Sequence, residues 1–322
     1  MKFPRRAFLH LAAGAGALQV SPTALALDYP ARPVRIIVGY PAGSAPDIVA
    51  RLLGQRLSEH FTQSFIIEDR PGAASNIATE IVAKAPADGY TLLMVVSTNT
   101  VNETLYANLN FDFIRDIVPA AGFARTAYVM SVTPSFPAQT APEFIAYAKA
   151  NPGKVHFASA GVGTGSHIPV ELFEMMAGVD LVHVPYRGNY FPDVLSGQVQ
   201  VVFAATAAAI GYIRGGKLRA LAVTSAARLK ALPDVPALAE FVPGYEAMGW
   251  YGICAPKNTS NEVIDALSKA IIASLADPNM SGRLTDLALE PMPMTSGEFG
   301  KFIAAETDKW AKVIKFANIK PE

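Results

Sequence analysis

Residues 34–53 read Val-Arg-Ile-Ile-Val-Gly-Tyr-Pro-Ala-Gly-Ser-Ala-Pro-Asp-Ile-Val-Ala-Arg-Leu-Leu. The β-branched run Val34 to Val38, bounded by Pro33 and Gly39, predicts a strand. The stripe of Ile48, Leu52 or Leu53, Leu57 and Phe61 predicts a helix. Between them lies a loop of small residues, Tyr40-Pro41-Ala42-Gly43-Ser44. Ser44 suits the helix N-cap, Pro46 suits the first turn, and Asp47, three residues on, completes a capping-box-like pair. Gly43 permits an unusual backbone angle and close approach of a ligand.

The same strand–loop–helix scheme repeats outward from this stretch. Ser64 to Glu68 predicts a strand, Ile77 to Lys84 a helix, and Thr91 to Val96 a strand that is apolar almost throughout, as when both faces are covered. Further along, helices are expected over Glu143 to Ala150 and Pro169 to Ala177. Strands are expected over Val155 to Ala158, Val182 to Val184, Val199 to Ala204, Leu218 to Thr224 and Trp250 to Ala255. Two helices close the chain, around Asn261 to Ala276 and Ser296 to Phe316. Alternation of this kind predicts an α/β fold with mostly parallel sheet and helices on both sides. Two sheet-forming blocks imply two lobes, about 27–125 and 126–245. Periodicity does not say where the tail packs.

The N-terminus reads as a secretory leader over residues 1–26. Lys2, Arg5 and Arg6 precede an apolar run from Ala7 to Val20, and Ala24-Leu25-Ala26 fits a small-x-small site with cleavage after Ala26. The run is short for a membrane span of about 20 residues. Arg5-Arg6 also resembles a twin-arginine signal, and the Sec and Tat routes stay open. The chain carries 27 basic and 27 acidic side chains. Losing the three leader cations leaves a slightly acidic, nearly balanced surface, which argues against nucleic acid or a membrane surface as partner. Cys254 is the one cysteine. It admits no internal disulfide, and its apolar neighbours mark it as core filler.

Three loops share one design: a strand, then small or hydroxyl residues, then a helix start. They are Gly39 to Asp47, Ser97-Thr98-Asn99, and Ser159 to His167. The first turn of a helix leaves amide N–H groups unpartnered, and the helix dipole adds partial positive charge. In parallel α/β sheets such starts gather at the carboxyl ends of strands, where ligands bind. Loops from two lobes facing across a cleft would hold an anion with neutral donors. Taken singly, each loop is equally well read as an ordinary capped turn.

Competing chemistry is poorly represented. The stretch Gly161 to Ser166 lacks the last glycine of a dinucleotide fingerprint, and no phosphate-binding lysine follows it. There is no G-x-S-x-G elbow, and no histidine pair at metal spacing. No cofactor or metal is expected. His167, at a helix start, serves either as a donor to an anion or as a structural hydrogen-bonding group. His183, in an apolar strand, reads as a core histidine. Arg187 is a basic group near a strand end that pairs with a ligand carboxylate or with a surface acid.

Many short motifs now line up in order from Tyr29 to the C-terminus. They include Pro41-Ala42-Gly43 with Asp47, Ala50-Arg51, Glu68-Asp69-Arg70-Pro71-Gly72-Ala73 and Asp88-Gly89-Tyr90-Thr91-Leu92-Leu93. Later come Asn151-Pro152-Gly153-Lys154, Gly163-Thr164 with His167, His183-Val184-Pro185-Tyr186-Arg187-Gly188, Gly216-Lys217-Leu218-Arg219 and Leu232-Pro233-Asp234-Val235-Pro236. With them the chain resembles the tripartite tricarboxylate transporter substrate-binding family, also called the Bug family of periplasmic receptors. The resemblance implies a two-lobed periplasmic-binding fold with two crossover strands and a hinge-closing cleft. Lobe 1 would comprise 27–125 plus 246–322, and lobe 2 would comprise 126–245. A ligand carboxylate would be held through backbone groups and ordered waters at Tyr40 to Ser44, with Asp47 fixing that loop. A second anchor would fall on Ser159, Gly163, Thr164 and His167, with Tyr186 nearby.

The family's usual Gly-Gly is Gly43-Ser44 here, so Ser44 adds a hydroxyl. The stretch Asn189 to Asp193 is shorter than usual. Ala204 stands where many relatives carry an Asp, so an amine-binding acid is unsupported and a dicarboxylate or aromatic carboxylate is favoured. The expected product is a monomeric periplasmic receptor that hands a small organic carboxylate to a two-subunit membrane permease and has no catalysis of its own. A ligand-sensing subunit for a membrane kinase and an exported enzyme are the alternatives.

Overall fold

The computed structural model describes residues 29–186 and 189–321. The leader read over residues 1–26 and the cation Arg187 lie outside the described residues. In chain order the elements are β1 (Val34–Val38), α1 (Ala45–Phe61), β2 (Phe65–Asp69), α2 (Asn76–Ala83), β3 (Thr91–Val96), α3 (Ser97–Leu105), α4 (Phe113–Asp116) and β4 (Ile117–Val132). Then follow α5 (Ala141–Ala150), β5 (His156–Ser159), α6 (Ile168–Ala177), β6 (Val182–Pro185), α7 (Phe191–Ser196), β7 (Val201–Ala205), α8 (Thr206–Arg214) and β8 (Arg219–Val223). The chain closes with β9 (Met248–Pro256), α9 (Asn261–Leu275), α10 (Pro278–Asp286), β10 (Glu290–Met294) and α11 (Ser296–Phe316).

The strands run in the order β2-β1-β3-β9-β4-β7-β5-β6, with β8 and β10 also joined to β4. The parallel blocks expected from the sequence are present as β2-β1-β3 and β7-β5-β6. The centre is different: β9 runs antiparallel to both β3 and β4, and β4 antiparallel to β7, β8 and β10. The sheet is therefore mixed, which corrects the mostly parallel reading.

The long strand β4 divides the molecule. From Ile117 to Ala127 it pairs with β9, and β10 lies along its other edge between Gly122 and Arg125. From Tyr128 to Val132 its partners are β7 and β8. One strand thus serves two lobes. Beside the changeover, Tyr128 N–H donates to Thr224 Oγ1 (2.8 Å), Thr224 N–H to Tyr128 O (2.9 Å) and Ala247 N–H to Thr224 O (3.0 Å). The sequence reading passed over β4 because almost every position is buried, so period-two alternation is missing, and Pro119 and Gly122 sit at register shifts.

One core gathers Ile36, Leu53, Leu57, Leu92, Ile253 and Leu267; another gathers Phe144, Phe157, Phe173, Phe203 and Tyr245. Leu53 and Leu57 are fully buried, so truncating either to alanine costs about 2–5 kcal/mol. The closing helix α11 serves more than one cluster. Phe299 and Ile303 pack with Trp250 and Cys254, whereas Trp310, Val313 and Ile314 join the core of Phe173 and Tyr245. Gly252 lets the helix sit close to the sheet, since a Cβ there would meet Phe299 Cζ at 2.3 Å. Burial raises the Cys254 thiol pKa well above its ordinary value, which suits inert filler. Among the described residues, no helix is long and apolar enough to cross a membrane.

Candidate ligand-binding cleft

At the junction of the two strand blocks lies a cavity of about 240 Å³. Tyr40 reaches it from the loop after β1, and Ser97 and Thr98 from the first turn of α3. Thr164, Gly165 and Ser166 reach it from the loop between β5 and α6. Tyr128, Tyr190, Ala205, Trp250 and Tyr251 complete the wall, with Pro46 and Gly249 among the rest. Among the described residues that line it, none is a Lys, Arg, His, Asp or Glu. Its polar character comes from hydroxyls, and burial raises the phenol pKa values of Tyr40, Tyr128, Tyr190 and Tyr251. Near neutral pH these phenols are protonated donors.

Helix α3 starts directly on β3, with no intervening loop. Ser97-Thr98-Asn99 is therefore a helical first turn rather than the loop read from the sequence. Asn99 faces inward: its Oδ1 accepts from Val96 N–H (2.9 Å) and its Nδ2 donates to Thr79 Oγ1 (2.9 Å). That bond anchors the helix start and leaves Ser97 and Thr98 at the cavity. Tyr40 donates its hydroxyl to Thr98 Oγ1 at 3.1 Å, freeing the threonine proton for a ligand. The first-turn amides of α3 lack intrahelical partners and add partial positive charge.

In the first loop, Ser44 is the N-cap residue of α1 but makes no side-chain cap, and its buried Oγ has no hydrogen-bond partner. The capping role passes to Asp47, which accepts from Gly43 N–H at 2.7 Å and pairs with Arg51 Nε at 2.7 Å. Gly43 has φ +79°, the left-handed region that a side chain disfavours. Burial alone would raise the Asp47 pKa, but the Arg51 and Gly43 hydrogen bonds outweigh it and hold the carboxyl below its ordinary value. Pro41, Ala42, Gly43, Ser44 and Asp47 frame the loop but do not line the cavity, where Tyr40 stands for them.

The third loop is held by its own hydrogen bonds. Thr164 Oγ1 donates to Gly161 O (2.7 Å) and Ala160 N–H donates to Ser166 Oγ (2.9 Å). Gly163, at φ +77°, brings this loop against α3: a Cβ there would lie 2.9 Å from Leu105 Cδ2. His167 sits behind the loop. Its Nδ1 accepts from Gly163 N–H (3.1 Å), which leaves the proton on Nε2 to donate to Glu171 Oε1 (2.9 Å). Both ring nitrogens are used, so His167 positions Gly163 and has no donor left for an anion. Ser159 is fully buried, with its Oγ 2.6 Å from His183 Nε2 and accepting from Gly161 N–H at 3.0 Å. That hydroxyl and imidazole are outside the cavity lining, so the pair braces the loop. The His183 ring stacks against both Phe157 (4.8 Å) and His167 (3.9 Å), which also stack on each other at 6.0 Å. Burial, then electrostatic interaction with the adjacent His167 ring, lower its pKa to about 3. Tyr186 donates to Asp193 Oδ2 (2.7 Å) and meets Tyr190 edge-on.

The sequence reading missed Tyr128, Tyr190, Trp250 and Tyr251 as cavity residues. Tyr128 lies on the unread β4. Trp250 and Tyr251 lie on a strand that was read without its place in the sheet. Tyr190 falls in the stretch whose length departs from the family's usual form, which was the available hint. Among the described residues, no group of three or more His, Cys, Asp or Glu is placed to hold a metal ion.

Two lobes strung on shared strands, with a hydroxyl-lined cleft where strand ends meet, define a solute-binding receptor of the periplasmic-binding type. The chain belongs to the tripartite tricarboxylate transporter receptor family, whose model matches residues 49–319. It is 32% identical over 297 residues to protein BugT of Bordetella pertussis, covering 91% of each chain. An adipate-bound protein of R. palustris is similar with TM-score 0.80 and 34% identity, over 91% of this chain and all of that one. MatC from Rhodopseudomonas palustris with bound malate gives TM-score 0.76 and 26% identity, over 89% of this chain and all of that one. The periplasmic binding protein BugD gives TM-score 0.77 and 30% identity, over 91% of this chain and all of that one.

Proposed function

We propose that this receptor captures a small organic carboxylate between its lobes in the periplasm and delivers it, without transforming it, to a two-subunit membrane permease. The observation that carries the reading is the shared cavity of Tyr40, Ser97, Thr98 and Thr164, which joins hydroxyls to a helix start. Such a site selects an anion through preorganised neutral donors. The adipate- and malate-bound relatives support a carboxylate as the ligand class. The change of β4 partners beyond Ala127 supports lobes divided as 27–125 plus 246–322 and 126–245. Closure about that strand would follow from a ligand that touches both lobes. Residues 1–26 would serve as the export leader that brings the receptor to the periplasm.

Calorimetric titration with adipate and with its neutral diamide tests the reading. Binding of the acid, and at least about a tenfold loss for the diamide, is expected. Equal binding of both would overturn anion capture.

A further inference from the structure

We infer that Met292 and Met294 form an oxidation site behind the ligand cleft, and that their conversion to sulfoxides by a peroxide shifts Trp250 and weakens ligand capture. The last step rests on the reading of the cleft as a carboxylate site. A second cavity, of about 110 Å³, lies against α11. Met248, Trp250, Met292, Met294 and Phe302 give it an apolar wall, and Arg125, Glu246, Glu306 and Lys309 a charged one. A water-sized molecule needs about 10–15 Å³ of such space, so hydrogen peroxide, little larger than water, has room beside the thioethers. Trp250 lines this cavity and the ligand cleft alike. A change on one side of the indole is therefore felt on the other.

In the reaction a thioether lone pair attacks one peroxide oxygen and the O–O bond breaks. The attacked oxygen stays on sulfur. Its proton passes to the departing hydroxide, which leaves as water. Sulfur is oxidised by two electrons and the peroxide is reduced by two. The product is a polar, chiral group where an apolar one was packed. Arg125 and Lys309 on the same wall offer donors to the new oxygen. Space is tight around Met292: a Cβ at Gly122 would lie 2.8 Å from its Cε. The strand that carries both methionines is weakly held. β10 pairs with β4 through Glu290, Pro291 and Met294, with a register shift between the last two. It can yield, and Trp250, which shares a buried cluster with Met292, shifts with it. The indole is tied in turn to Glu306 Oε2, while Glu306 Oε1 pairs with Lys309. Drawing Lys309 towards a sulfoxide loosens that brace.

Treatment of the folded protein with hydrogen peroxide, followed by peptide mass spectrometry, tests the inference. Met292 and Met294 should gain oxygen before Met175 and Met176, which are half-buried on α6. Tryptophan emission should shift, and adipate affinity should fall about tenfold. The double variant Met292→Leu, Met294→Leu, close to the original in volume, should keep its emission and affinity under the same treatment. Thermal melts check that the variant and the oxidised protein are folded. Earlier oxidation of Met175 or Met176, or unchanged emission or affinity once the β10 sulfoxides are present, overturns the inference and leaves the carboxylate receptor standing. Failure of the untreated protein to bind adipate counts against the carboxylate reading instead, and the oxygen map and the emission still decide the oxidation site.

Discussion

The hydroxyl of Tyr128 fills the space beside Gly165, where an added Cβ would stand 1.9 Å from it. Gly249 faces the same oxygen, and its Cβ would stand 2.7 Å away. Tyr128 lies on β4 at the changeover between lobes, Gly165 on the third loop and Gly249 on β9. One phenol from β4 therefore meets two other segments at the floor of the cleft, and glycine is required on both sides.

Gly165→Ala should accordingly destabilise the protein by about 1–3 kcal/mol, the usual cost of forcing atoms into a packed site. Tyr128→Phe in the same chain should recover part of the loss by removing the oxygen; the ring carbon Cζ would still be 2.7 Å from the new methyl. Urea unfolding of the two variants measures this. Wild-type stability in G165A would show that the phenol moves freely.

The buried His183 gives a pH dependence of definite sign. Its folded pKa of about 3 lies below the ordinary value of 6.5. Between these values the unfolded chain binds more protons than the folded one, so stability falls as pH drops through that window. The loss between neutral pH and pH 4 should be roughly 2 kcal/mol once partial screening is allowed for. His183→Gln, which keeps a polar group near Ser159 but cannot titrate, should flatten this acid limb. Unfolding curves at stepped pH decide the matter, and an unchanged slope in the variant would refute it.

Glu306 on α11 joins both tryptophans of the chain. Its Oε2 accepts from Trp250 Nε1 (3.3 Å) and from Trp310 Nε1 (3.0 Å), while its Oε1 pairs with Lys309 (2.5 Å). Trp250 lines the cleft, so the closing helix braces a ligand wall. Glu306→Ala leaves two buried indole donors unpaired and should cost about 2–4 kcal/mol. Glu306→Gln keeps an acceptor and should cost less. Denaturation followed by tryptophan fluorescence reads both the stability change and the altered indole environment. Equal losses in the two variants would count against the shared-acceptor account.

Much of the fold was legible locally. The β-branched run at Val34 to Val38, the stripe through Leu53 and Leu57, and the apolar Thr91 to Val96 each carry their own period. The spacing suggested Asp47 as the partner of Ser44 in a capping-box-like pair, whereas in the structure Asp47 accepts from Gly43 N–H and Ser44 makes no side-chain cap. Hidden were β4 and β10, because Ile117 to Val132 is buried on both faces and Glu290 to Met294 carries two prolines. Also hidden were the roles of Asn99, Ser159 and His167. Their polar side chains suit ligand contact and loop bracing equally well, and the choice depends on which way each residue points.

The order of residues alone determined the strand–loop–helix units, the small-residue loops at strand ends and the family, because those are set by neighbours within a few positions. Only the tertiary structure decided that Tyr128, Tyr190, Trp250 and Tyr251 close one cavity with Thr98 and Thr164. These residues are separated by up to a hundred positions or more along the chain. They meet because β4 exchanges one set of partners for another, an arrangement set by long-range packing that leaves no local period to read.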